Sequence, residues 1–343
     1  MALPTYNETR EQNTILATTQ ADITPAIVNN AINSHAGVSI FFGKLSEMMF
    51  GPVALNGKAK RFTTGESIET RVQLGKNDTA QRMASGYSSF IQDTQDTARV
   101  TRSNWKLYGA TAIISGEEKR NNQGAAQISS LLEYKTRTAV ESLVDLVAQD
   151  LYDNGSDATA TTGLEQIISA SDTPTLQGIS GANYANWNSR GLSAKGTAHG
   201  SIVFTGASFA TSGVPNWIHA FMNASEGAVQ PEFLLTTEDV YRFYEGSLSP
   251  EIRYNTLEVG DGSFKTLTFK GKPVFHDSYC GSGITYFINT DFLYAAVSPG
   301  ADFQLTPMQD QQFQDVFSSK VLFQGNFVSS GRKFQNKVDT QTA

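Results

Sequence analysis

Two hydrophobic periods alternate along this chain and divide it. Residues 58–115 carry period two. In "RFTTGESIETRVQL" the positions Ile68, Thr70, Val72 and Leu74 alternate with polar residues. In "ARVTRSNWKLYGATAIIS" the alternation runs through Trp105, Leu107, Thr111 and Ile113. Successive strand side chains point to opposite faces, so both stretches predict half-buried strands with these residues inward. Between them, "GKNDTAQRMASGYSS" is rich in turn formers. Two arms of about 13 residues, each reaching roughly 43 Å at strand rise, would form a projecting ribbon. A lone ribbon is marginal in water and needs a surface to lie on.

The period changes at 125–153. Ile128, Leu132, Ala139, Leu143, Val147 and Leu151 recur at spacings of four and seven, and Val140, Val144 and Tyr152 widen the stripe. That is an amphipathic helix about 43 Å long, with Gly155 in "DNGS" as its candidate C′ residue. Residues 158–205 are rich in Thr, Ser, Gly and Asn and read as loop anchored by "GLEQII". "NWIHAFMNAS" predicts a helix and "FLLT" a strand, and Thr236 with Asp239 predicts a capping box opening "EDVYRFYEG". Strands dominate from 264 onward, and "SFKTLTFKGKPVFHD" reads as a hairpin turning at Gly271. Residues 1–36 are polar with scattered apolar positions and read as an extended arm.

Composition narrows the function classes. The 343 residues are 39% hydrophobic and 17% charged, which fits a folded chain of two or three sub-domains. The net charge of −7 argues against wrapping nucleic acid, though not against a wall that encloses it. Cys280 is the only cysteine, so no disulfide or cysteine-based zinc site forms within one chain. No apolar run is long enough to span a membrane, and "MALPTYNETREQ" does not read as a signal peptide, so synthesis in a cytoplasm is expected.

Candidate chemistry is sparse. There is no Walker loop, dinucleotide fingerprint or nucleophile elbow, so no catalytic, cofactor-binding or metal site is assigned. "DNGSD" lacks the spacing of a known calcium loop. His276 and Asp277 are adjacent, so in a strand they face opposite ways and cannot form a relay. Trp105, Trp187 and Trp217 lack a basic cluster and read as packing residues. "VLFQG" at 321–325 continues a strand pattern.

Charge is unevenly spread. Residues 58–82 hold Lys58, Lys60, Arg61, Arg71, Lys76 and Arg82 against Glu66, Glu69 and Asp78, a net of +3. Residues 133–157 hold Glu133, Glu141, Asp145, Asp150, Asp153 and Asp157 against Lys135 and Arg137, a net of −4. Acids at a helix C-terminus oppose its dipole. Two readings stay open: both surfaces simply face water, or Arg71, Lys76 and Arg82 of one copy make an inter-subunit contact with Asp150 and Asp153 of a neighbouring copy.

The ordered set "WKLYGATAIISGEEKRNNQG", the long helix, "LYDNGS…GLEQII", "LTFKGKPVFHD…GITYFINTDFLYAAV" and "LFQGNFVSSGRKFQNKV" resembles tailed-bacteriophage major capsid proteins over roughly residues 40–340. The resemblance implies an α+β chain of the Hong Kong 97-type capsid fold. Its parts would be an N-terminal arm (1–45), an extended loop or E-loop (46–115), a peripheral domain with a spine helix (116–168), an axial domain (169–299) and return strands to the peripheral domain (300–343). It implies a non-enzymatic subunit that assembles with itself into hexamers and pentamers of an icosahedral virion shell around double-stranded DNA, built in the host bacterial cytoplasm. Expected partners are a scaffold protein, a portal and a decoration protein. The scaffold is expected as a separate chain, because Met1 leads almost at once into the arm. Alternatives are a cellular nanocompartment shell of the same fold, another phage structural protein such as a tail tube subunit, and an enzyme. The long helix argues against a tube.

Overall fold

The computed structural model describes residues 36–42, 60–83, 86, 89–121, 125–169, 175–189, 209–248 and 267–339. Residues 1–35 of the expected arm, with His35 and His199, lie outside them. In chain order, helix α1 (Ala36–Phe42) and strand β1 (Lys60–Phe62) precede the ribbon strands β2 (Ile68–Gln73) and β3 (Ala98–Ser103). Strand β4 (Lys106–Ser115) and α2 (Gly116–Asn121) lead to the long helix α3 (Ala125–Asp150) and to α4 (Leu164–Ile167). Then come the short pair β5 (Thr175–Leu176) and β6 (Ile179–Ser180), helix α5 (Val214–Ala224), β7 (Phe233–Thr236) and α6 (Glu238–Ser247). The remainder is strand: β8 (Thr268–Phe269), β9 (Lys272–His276), β10 (Thr285–Ile288), β11 (Leu293–Val297), β12 (Gln304–Leu305), β13 (Gln309–Asp310), β14 (Val316–Ser329) and β15 (Asn336–Val338).

The strands form two main sheets. In the first, β14 is the central strand. It pairs antiparallel with β4 over ten residues on one side and with β11, β12 and β13 on the other, while β1 joins β11 in parallel. The second has the order β15-β10-β7-β9-β8, with β7 and β9 parallel.

The α3 stripe explains the first core. Val140, Leu143, Val144, Val147 and Leu151 are buried against Val38 and Phe41 of α1 and against Tyr108, Val321, Phe323 and Phe327 of the first sheet. Each such aliphatic side chain contributes about 1.5–3 kcal/mol on burial. At about 1.5 Å per residue α3 is roughly 39 Å long. The side chains of Ile128 and Leu132 lie outside the described set. The second core gathers around Trp217, whose ring centroid lies 4.9 Å from that of Tyr244 and 5.4 Å from those of Phe209 and Phe269. It fills the space between α5, α6 and the second sheet. "GLEQII" does anchor its loop: Leu164, Ile167 and Ile168 are fully buried. Gly163 is required there, because a Cβ would stand 2.1 Å from the Asp153 carbonyl oxygen.

Four expectations are corrected. The ribbon pairs over only six residues per strand. Its ladder ends where Leu74 and Gly75 both donate to the Thr97 carbonyl. Beyond that, side chains hold the limbs together, with Asp78 N donating to Gln95 Oε1 at 2.9 Å and Gln81 Nε2 to Ser89 O at 2.8 Å. The inward face of β4 is the opposite of the one expected. Tyr108, Ala112 and Ile114 are buried while Leu107 and Ile113 are 68% and 51% exposed. Small residues at 110 and 112 let α3 approach, so the bulkier pair takes the outer face. The capping box does not form. Thr236 belongs to β7 and shares a 2.9 Å hydrogen bond with the Thr285 hydroxyl. Thr237 is the N-cap, and Asp239 pairs with Arg242 at 3.0 Å. Finally, α3 ends at Asp150 rather than 153, so Gly155 (φ +88°) belongs to the following turn.

Candidate functional site

The sequence points to surfaces rather than to a pocket, and the ribbon is the first. Val72 and Leu74 on its inner face are buried with Ile179 and Trp187. Asn186 Nδ2 donates to Leu74 O at 2.8 Å, and Arg102 N to Gln177 O at 2.9 Å. The base of the ribbon thus lies on its own chain. The outer face carries Arg71, and Lys76 and Arg82 follow along the limb; all three are exposed and form no ion pair with a described residue. The cross-strand pair Glu69–Arg102 (3.0 Å) neutralises its neighbourhood. Near the far end Met83, Phe90 and Ile91 are 40%, 76% and 51% exposed.

The acidic half of the expected contact sits differently. Asp150 Oδ2 accepts from the Tyr108 hydroxyl at 2.6 Å, and that hydroxyl accepts from Thr161 N at 2.6 Å. Partial burial pushes the Asp150 carboxyl up from the usual range, opposed by the Tyr108 hydrogen bond and reinforced by Asp153 and Asp157. Asp153 Oδ2 accepts from Gly155 N at 2.6 Å and Oδ1 from Ser156 Oγ at 3.2 Å. Asp157 accepts from Thr159 N at 2.7 Å. The "DNGSD" carboxylates bond backbone and hydroxyl groups of their own turn.

His276 and Asp277 part company as expected. His276 is exposed beside the Tyr241 ring, 5.2 Å between centroids. Asp277 is buried and accepts from Gly37 N at 2.8 Å and Tyr279 N at 3.2 Å, tying α1 to the second sheet. Cys280 is buried, and desolvation raises its thiol pKa well above the ordinary value, an inert structural position. Trp187 and Trp217 are core residues, and Trp105 donates to Gly65 O at 2.8 Å.

Sequence reading missed two buried charges. Lys337, with a side chain 4% exposed, bonds Glu165 Oε1 at 2.6 Å and Asp339 at 3.1 Å, while Tyr286 donates to the other Glu165 oxygen at 2.9 Å. Arg332 is wholly buried, donates Nε–H to Ile167 O at 2.7 Å and is lowered to about 10 by burial. Both join α4 to the C-terminal strands. Glu165 and Ile167 lie 172 and 165 residues from the charges they hold, so no local signal exposes these two bonds.

The long helix under a sheet, the ribbon and the second sheet with its two helices together make a mixed α+β chain whose fold is of the Hong Kong 97 capsid type. A chain of the cyanophage A-1(L) capsid asymmetric unit superposes with a TM-score of 0.57 at 18% identity, covering 82% of this chain and 90% of that one. A chain from Mycobacterium phage Bobi gives 0.56 at 10% identity over 83% and 88%. The capsid of an empty GTA particle gives 0.51 at 11% over 83% and 88%. No family model and no curated protein matches the sequence.

Proposed function

We propose that this chain is the major structural subunit of a tailed-bacteriophage head. It forms hexamers and pentamers of an icosahedral shell around double-stranded DNA and has no catalytic role. The observation that carries this reading is the likeness of fold to two phage chains over more than four-fifths of the length. Exposed apolar side chains support it: Phe313 is 94% exposed, Phe90 76% and Met222 62%, and neighbouring subunits would cover them. A net charge of −7 suits a wall that holds DNA without gripping it. In this reading 1–45 is the arm, 46–115 the E-loop, 116–168 the peripheral domain on α3, 169–299 the axial domain and 300–343 the return strands. A scaffold protein, a portal and a decoration protein are the partners, and the virion shell, assembled in the bacterial cytoplasm, is the location.

The GTA capsid has a similar fold, so the fold alone does not separate a phage head from another kind of particle. A nanocompartment around protein cargo is the second reading. Electron microscopy of the purified chain tests assembly: closed shells or capsomers are expected, and monomers persisting across salt and crowding conditions would refute the proposal. Nuclease-protected DNA in particles from infected cells, rather than protein cargo, separates the two readings.

A further inference from the structure

β4 is a ten-residue strand with a partner on one side only among the described residues. Its hydrogen-bond phase is fixed by its end. Gly116 N donates to Asp315 O, which continues the register Ser115↔Val316, so even-numbered residues bond to β14. The amides of Leu107, Gly109, Thr111 and Ile113 therefore point away from β14. Among the described residues, side chains meet this edge near its end, with Lys135 Nζ donating to Ile113 O at 3.0 Å and Ser115 N donating to Glu118 Oε2 at 3.0 Å. An open groove runs along the edge, with Ala110, Thr111, Ala112 and Ile113 on one wall and Lys135, Thr138, Ala139 and Ser142 of α3 on the other. An unpaired edge of this length, beside a groove walled largely by small side chains and next to the exposed Leu107 and Ile113, is a template for one more strand.

We propose that residues 12–21 of the same chain, "QNTILATTQA", add to this edge as an antiparallel strand. Three observations select that occupant. The segment is ten residues long, as β4 is, and has no charge, Pro or Gly, with Thr14, Ile15, Thr18 and Thr19 favouring extended backbone. The described chain begins by the C-terminal end of α3, where α1 packs over β11 on the far side of β14 from β4. Gly37 packs against Leu151 and Tyr152 just after α3, and Asp150 of α3 is bonded to Tyr108 near the start of β4. The fourteen residues 22–35 span up to about 46 Å extended, enough to turn back from Ala36 and deliver residue 21 beside Leu107. Entry at that end makes the added strand run opposite to β4, the better-bonded arrangement. The pairing concerns a single subunit and goes beyond the shell reading, since it stands whether or not shells form.

Hydrogen exchange on the unassembled 343-residue subunit tests it. The amides of Leu107, Gly109, Thr111 and Ile113 should exchange at least about tenfold more slowly than in a chain lacking residues 1–35. Tyr108, Ala110, Ala112 and Ile114, bonded to β14, report that both chains are folded. Equal rates at the odd positions would overturn the proposal. If the shortened chain does not fold, Thr111→Pro in the full chain takes its place. It deletes one outward N–H and spares the β14 ladder, so Gly109 and Ile113 should lose protection, and retained protection would refute the pairing. Thr14→Cys with Ile113→Cys, treated with a short bis-maleimide, locates the source of the strand. A cross-link within one chain is expected, whereas a cross-linked dimer, which would mean a second copy's arm, or no cross-link at all, would overturn it.

Discussion

Asp150 shows how far a single residue's role depends on partners the sequence does not display. Its carboxyl is held above the ordinary aspartate range, chiefly by burial and further by Asp153 and Asp157, while the Tyr108 hydroxyl pulls the other way. The sign follows from linkage. Below the ordinary aspartate pKa the group is protonated in both states, and its contribution to stability is fully present. As pH rises, the unfolded chain ionises first, and the contribution is lost up to and through the raised folded value. Asp150→Asn keeps an acceptor for Tyr108 and removes the titration. The variant should therefore gain on the parent in unfolding free energy as pH rises through that window, then hold a constant advantage above it. Urea titrations of the dissociated subunit at a series of pH values measure this, and a difference that stays flat or reverses refutes the assignment. The carboxylates were legible as an acidic patch, but their engagement was not: Tyr108 lies 42 residues from Asp150, and Glu165 lies 172 residues from Lys337. Only the packing of α3 and α4 against the sheet brings such groups together.

At the scale of elements, local chemistry decided what could be read. The β8–β9 hairpin is the clearest case. "FKGKPV" turns through Lys270 and Gly271 at φ +50° and +75°, the two left-handed residues of a type I′ turn. A Cβ on Gly271 meets nothing within 4 Å, so Gly271→Ala carries a backbone cost alone. It should destabilise the subunit by about 1 kcal/mol without altering the core around Trp217. Chemical denaturation gives the number, and unchanged near-ultraviolet circular dichroism checks the core; a cost near zero would mean the turn is not of this type. Pattern misled where both faces of a strand are apolar. In β4 the residues at 107, 111 and 113 alternate as convincingly as those at 108, 110, 112 and 114. The choice between them rests on which side the helix approaches, and periodicity carries no information about that. The capping box failed for a related reason, because Thr236 had a cross-strand partner in Thr285 that outcompeted a helix terminus.

For the whole molecule, element order survived translation into structure better than element extent. A ribbon, a long helix and strands beyond residue 267 follow in the order the periods announce, because each period is local. Ribbon length is not local: side-chain bonds replace the ladder beyond Gln73 and Ala98, and composition does not register that exchange. The charge contact proposed between neighbouring subunits belongs to this scale too. Arg71, Lys76 and Arg82 form no ion pair with a described residue, whereas Asp150 and Asp153 are engaged within their own subunit, so an arriving cation would add to existing bonds rather than fill a vacancy. Exposed pairs of this kind contribute under about 1 kcal/mol each and act more on encounter rate than on affinity. In the proposed shell the contact would repeat many times, so a small term would become visible in assembly kinetics. Arg71→Glu with Lys76→Glu should leave subunit stability within about 0.5 kcal/mol of the parent, since both residues are exposed and neither pairs with a described residue. The same double variant should slow shell formation at low salt, and the difference should shrink as salt screens the charges. Light scattering of parent and variant across a salt series reads this directly. Equal assembly rates at the lowest salt would remove the ribbon cations from the contact, and a defect that persists undiminished at high salt would show that shape at those positions, rather than charge, carries it.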